Sequence, residues 1–205
     1  MSIASKERVA LEPQRRPGKL RVAALLDAGA AVIAERGYEA ATMAEVAARA
    51  GAPIGSLYRF FPNKEVLADA LLLRFRNIVD DAFAALDAQA GELSISALTD
   101  ALFALVDELH LEIRPMIALL DAHSDWSAKR AEFRSAARKH LARTLMSCSP
   151  RLDAESAGDI ATVLLHMMKL KSQLAREAAN AENAGALSEL RKMTQLYLAD
   201  RLASG

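Results

Sequence analysis

The stretch Thr42–Lys64, TMAEVAARAGAPIGSLYRFFPNK, decides how the chain is read. Two short amphipathic segments meet at Gly51, and the aromatic run Tyr58-Arg59-Phe60-Phe61 closes the second. Thr42 followed three residues on by Glu45 is a capping box, which starts a helix by satisfying amides that have no partner within it. Met43, Val46, Ala47 and Ala50 then share one face, and Gly51 stops the helix after two turns. A helix that short is unstable alone and must lean on neighbours. Small Ala47 and Ala50 beside Gly51 let two helices approach closely at a tight turn. Pro53–Phe60 reads as the second helix, with proline in the first turn, where its missing N–H is no loss. Leu57 with Phe60 or Phe61 faces inward, leaving Ile54, Gly55, Ser56 and Arg59 outward. Pro62 terminates this helix and Asn63 caps the next. The pattern is that of a helix-turn-helix.

Working outward, Lys19–Arg36 carries Leu25, Leu26, Ala28, Gly29, Val32 and Ile33 at helical spacing, and Gly37 ends it. Residues 1–18 hold Pro13, Pro17-Gly18 and Arg15-Arg16, and are expected to be a flexible arm. Beyond Asn63, one long helix is expected from Lys64 to about Ala90, broken by Gly91. Further helices are expected from about Ser94 or Ser96 to Ile113, stopped by Pro115; over Lys129–Ser147; from Asp153 or Glu155 to about Ala179; and over Ala186–Leu202. A short apolar segment, Met116–Leu120, stands apart after Pro115. The expected fold is all-α: a helix-turn-helix domain over 19–63, joined by the long helix to a helical domain within 64–205.

The composition agrees. More than half of the 205 residues are apolar, Ala and Leu dominate, and β-branched runs are absent. The net charge is zero, but it is unevenly spread. Residues 1–76 hold twelve Lys/Arg and eight Asp/Glu, a balance of +4, and residues 77–205 hold fourteen and eighteen, a balance of −4. A basic N-terminal part is compatible with nucleic acid. The single cysteine, Cys148, has no intrachain partner and fits a reducing compartment. The N-terminus has no apolar run like a signal peptide, and no apolar stretch is long enough to span a membrane. The expected location is the cytoplasm.

The major groove admits one helix, whose outward side chains read base edges. Ile54, Gly55 and Ser56 are so placed, with Gly55 and Ser56 small enough to let the backbone approach the bases. Thr42, Tyr58, Arg59 and Lys64 can donate to phosphates around them, and Arg21 or Arg49 can join. Catalytic and metal chemistry find less support. Asp107-x-x-His110 and Asp121-x-His123 offer four potential ligands, but di-metal bundles repeat Glu-x-x-His pairs, and here a single pair occurs with Asp. No Gly-rich phosphate loop or serine nucleophile elbow is present. No cofactor, metal or enzymatic activity is expected. The alternative reading is a helical-bundle enzyme or metal-binding protein with an incidental helix-turn-helix.

The run Thr42-x-x-Glu45-Val46-Ala47-x-x-Ala50-Gly51, then Gly55-x-Leu57-Tyr58-x-x-Phe61-x-x-Lys64-Glu65-x-Leu67, resembles the N-terminal domain of TetR-type transcriptional regulators. Gly37-Tyr38 and the helix before it extend the resemblance to roughly residues 20–70. It implies a cytoplasmic, ligand-responsive repressor that binds a palindromic operator in double-stranded DNA as a homodimer. It implies phosphate contacts from Thr42, Tyr58 and Lys64, and base contacts from Ile54, Gly55 and Ser56. Two positions depart from the family: Pro53 replaces a residue with a capping hydroxyl, and Phe60 stands where His is frequent. The resemblance further implies dimerisation through the last two helices, by Ile160, Val163, Leu164, Met167, Met168 and Leu174 on one and Leu187, Leu190, Met193, Tyr197 and Leu198 on the other. It implies a pocket for a small-molecule effector in the C-terminal helices, with Phe103, Val106, His110, Met116, Leu119, Leu120, His123, Trp126 and His166 as candidate lining. The long helix from Lys64 would couple the effector to the DNA-binding domain.

Overall fold

The computed structural model describes residue 10 and residues 15–122, 127–178 and 184–203. Among them lie eight α-helices: α1 (Arg16–Arg36), α2 (Met43–Arg49), α3 (Ile54–Phe60), α4 (Lys64–Asp87), α5 (Ile95–Ala122), α6 (Ser127–Cys148), α7 (Ala154–Ala178) and α8 (Ala184–Ala203). A 3-10 turn, Ala90–Glu92, separates α4 from α5. The backbone divides into two compact units, residues 1–76 with 112–127, and residues 77–111 with 128–205.

In the first unit α1 packs on α2, and α2 on α3. Its core joins Leu25, Val32 and Ile33 of α1, Val46 and Ala47 of α2, Leu57 and Phe60 of α3, and Leu67, Leu71 and Phe75 of α4. Tyr38 and Phe61, from the links between helices, are each 1% exposed and complete it. Gly29 sets how closely α1 meets α4: a Cβ there would lie 3.4 Å from a Leu67 methyl.

The second unit buries Phe83 and Leu86 of α4, Leu98, Leu102 and Leu105 of α5, Leu141 and Leu145 of α6, Ile160 and Leu164 of α7, and Leu190 and Leu198 of α8. Polar links tie its helices together. His140 Nε2 lies 2.9 Å from Asp80 Oδ1, with the imidazole stacked on Phe83. Arg143 Nε donates to Asp87 Oδ2 at 2.9 Å, and Thr144 donates to the other oxygen of that carboxylate. Lys171 of α7 is buried against α5, where it pairs with Asp107 and donates to the Phe103 carbonyl at 3.2 Å.

Several boundaries differ from the sequence expectation. α1 begins at Arg16, so Arg16–Gly18 belong to a helix and not to an arm. Pro17 sits in the first turn, where its fixed φ suits a helix. Residues 1–9 and 11–14 of the expected arm lie outside the described residues. Pro115 does not stop α5, which runs through it to Ala122. Proline removes one helical hydrogen bond, the one that would reach the Leu111 carbonyl. Burial of Leu109 before it and Leu119 after it favours a continuous helix, so Met116–Leu120 is no separate segment. The long helix from Lys64 ends at Asp87, three residues short of Ala90.

Candidate nucleic-acid interface

The capping box forms as its spacing predicts. Thr42 Oγ1 accepts from the Glu45 amide at 3.2 Å, and Glu45 Oε2 accepts from the Thr42 amide at 3.1 Å and from its hydroxyl at 2.8 Å. These bonds from the Thr42 side chain and backbone hold the Glu45 carboxyl below the usual carboxylate range. Arg36 stands 3.6 Å from the same carboxylate. Arg49 grips Glu35 with both terminal nitrogens at 2.6 Å, which fixes α2 against α1 and commits a guanidinium that the sequence offered to phosphate. Replacing Thr42 by alanine should destabilise the first unit by ~1 kcal/mol while serine retains most of that stability, read as a shift in the denaturant midpoint.

Gly51 turns the chain with φ +57°, and the Ala52 amide returns to the Ala47 carbonyl at 3.0 Å. Pro53 is the N-cap of α3 and not its first residue, with φ −57° and ψ 138°. The Ser56 amide bonds the Pro53 carbonyl at 2.8 Å, and no side chain caps this end. The inner face of α3 is Leu57, fully buried, and Phe60. Its outer face carries Ile54 at 44% exposure and Tyr58 at 49%, with Gly55 and Arg59 also exposed and Ser56 half-buried. Gly55 has no positive φ, and a Cβ added to it would meet nothing within 4 Å. The fold therefore gives no reason for glycine there. An exposed, small-residue face on a helix whose opposite face is locked into a core is what entry into a groove requires.

Among the expected phosphate ligands, Thr42, Tyr58 and Arg59 are exposed. Tyr58 does not pin the core; Tyr38 does. Burial, with nearby Glu65, Glu39 and Asp69, pushes the Tyr38 phenol up to about 12. Lys64 is half-buried, and its Nζ donates to the Tyr38 carbonyl at 2.9 Å and the Glu39 carbonyl at 3.0 Å. It also lies 4.5 Å from the centre of the Tyr38 ring. From the sequence Tyr38 entered only through the Gly37-Tyr38 resemblance, not as a core residue. An aromatic residue directly after a helix-ending glycine, between two helices too close to be spanned by a loose loop, is the signal that would have found it.

The C-terminal candidates are scattered. Phe103 and Val106 are half-buried on α5, Leu119 is buried and belongs to the first unit, and His166 is exposed on α7. The side chains of His110, Met116 and Leu120, and residues His123 and Trp126, lie outside the described residues, as does the Asp121 carboxylate. Among the described residues, no three His, Cys, Asp or Glu side chains are placed to hold a metal ion. On α7 and α8, Ile160, Leu164 and Leu190 are buried within the chain itself. Met167, Leu187 and Tyr197 are half-buried, and Val163 and Met193 are exposed at 41% and 56%. Leu170 and Leu196, absent from the sequence expectation, are exposed at 42% and 63%. No described helix is long and apolar enough to cross a membrane.

Residues 25–71 match the family pattern described as bacterial regulatory proteins, tetR family. The HTH-type transcriptional repressor KstR2 of Mycobacterium tuberculosis is 40% identical over 82 residues, covering 36% of this chain and 38% of that repressor's length. The chain thus spans well under half of that relative. A TetR-family transcriptional regulator from Streptomyces coelicolor shares the fold over 89% of this chain and 99% of its own, with TM-score 0.58 and 26% identity. The fatty acid degradation regulator FadR from Bacillus halodurans does so over 91% and 96%, with TM-score 0.60 and 20% identity, a likeness of fold. The capped α2, the glycine turn and the clamped α3 all lie inside the matched region, so residues 25–71 carry the pattern of the tetR family of bacterial regulatory proteins.

Proposed function

We propose that the chain is a DNA-binding transcriptional regulator whose α3 enters the major groove with Ile54, Gly55 and Ser56 toward the bases. Tyr58 and Arg59 donate to the flanking phosphates, and Thr42, whose hydroxyl and amide are given to Glu45, fixes the start of α2 beside them. The observation that carries this reading is the two-sided character of α3: Leu57 and Phe60 are locked inward, while Ile54, Gly55, Tyr58 and Arg59 are exposed. Repression is the favoured sign, because the relatives that part of the chain matches are named as repressors. The activity needs no catalytic step, and it places the protein in the cytoplasm with the chromosome. Selection of duplexes from a random-sequence pool tests it. Enrichment of a palindrome bound more weakly as salt rises is expected; no enrichment would overturn it.

One recognition helix contacts too few base pairs for a selective site, and two copies on a palindrome double the contact. The second copy is proposed to dock on the apolar residues that α7 and α8 leave exposed, Val163, Leu170, Met193 and Leu196, with Met167, Leu187 and Tyr197 at their edge. Ile160, Leu164 and Leu190 support these helices from within. Glutamate at both Met193 and Leu196 should leave the helical content intact and yield a monomer by sedimentation. A dimer surviving both substitutions would place the interface elsewhere. The effector is proposed to be a small molecule bound in the C-terminal domain, with the half-buried Phe103 and Val106 as the described part of its lining. It regulates only if it binds two states of the dimer unequally.

A further inference from the structure

We infer that Lys64 is a positioning residue that sets the helix-turn-helix through the α1–α2 link, and is not a phosphate ligand. This inference rests on the DNA-binding reading above. An ammonium has three N–H donors and no acceptor, and in the first turn of a helix its charge opposes the macrodipole. A lysine held there only for phosphate would extend into solvent. Lys64 instead turns back, giving hydrogen bonds of 2.9 and 3.0 Å to the consecutive carbonyls of Tyr38 and Glu39 and lying over the Tyr38 ring. Two carbonyl dipoles and a ring face meet the charge within the chain.

Both ends of this strap are fixed. At one, Asn63 Oδ1 accepts from the Val66 amide at 2.8 Å, which locks the start of α4. At the other, Tyr38 is 1% exposed, so the carbonyl next to its Cα cannot drift. Thr42 follows Glu39 by three residues and caps α2, and α2 carries α3. Lys64 thus controls where the link delivers α2, and through it how the outer face of α3 is presented. Its action on DNA is indirect.

The salt dependence of binding separates the two roles, because each phosphate contact adds about 0.9 to the slope of log affinity against log salt. The probe is the duplex that the wild-type protein selects from a random pool, alongside an unrelated duplex. Lys64→Met keeps the apolar stem and removes the charge. The expected result is an affinity loss of about tenfold for the selected duplex, an unchanged slope, and little change on the unrelated duplex. Lys64→Arg, which can reach both carbonyls, should restore most of the selectivity. A slope lowered by about 0.9 with equal loss on both duplexes, or no loss at all, would overturn the inference. A second measurement needs neither a variant nor DNA. In free, 15N-labelled wild-type protein, the Lys64 ammonium protons should exchange with water far more slowly than those of exposed lysines. Exchange as fast as theirs would overturn the inference even if no duplex were ever selected.

Discussion

Replacing Phe61 by alanine should destabilise the first unit by about 3–5 kcal/mol and abolish specific DNA binding with it. Phe61 is the residue after α3, 1% exposed, and its amide returns to the Leu57 carbonyl at 2.8 Å. The ring therefore anchors the end of the recognition helix, while Pro62 after it holds the backbone extended. Alanine leaves a cavity in the core that α1, α2, α3 and α4 share. Helices of seven residues such as α2 and α3 have no independent stability with which to close it. Equilibrium denaturation followed by circular dichroism reads the loss. A change below 1 kcal/mol would mean that α3 is held by something other than this core.

Replacing Ile54 by glutamate should have the opposite profile: unchanged stability and a 10- to 100-fold loss of DNA affinity, roughly 1–3 kcal/mol of binding. Ile54 is 44% exposed and begins α3, where a carboxylate interacts favourably with the helix N-terminus. The fold has no objection to the change. DNA does, since the new charge would face bases and phosphates with no cation between them. Thermal melting and a binding titration on the same preparation separate the two effects. Equal affinity for both proteins would remove α3's first turn from the interface.

What could be read from the sequence was local. The Thr42–Glu45 box, the Gly51 turn and the Asn63 cap each join residues within three positions of one another, so spacing alone reveals them. The inner and outer faces of α3 follow from the helical period once Leu57 is placed inside. Contacts between distant residues were not legible. Lys64 lies 26 residues from Tyr38, and its charge and first-turn position fit a phosphate ligand equally well until the carbonyls are seen. Arg49 has the same ambiguity, settled by Glu35 fourteen residues before it. Helices α7 and α8 are apolar on more than one face. Periodicity marks those faces without saying which one their own chain covers, so buried Ile160, Leu164 and Leu190 could not be told from exposed Val163 and Met193. Pro115 misled for another reason: a proline raises the cost of a helix, but burial on both sides of it can outweigh that cost.

Whether the outer face of α3 meets DNA is decided by Gly55→Ala. The glycine has an ordinary backbone conformation and open space around it, so the fold should accept a methyl group. Alanine also favours helix, by up to about 1 kcal/mol. The predicted result is an equal or higher melting temperature together with a clear loss of affinity for the selected duplex, because the methyl group holds the backbone off the bases. Unchanged affinity in the more stable protein would mean that α3 does not approach the bases.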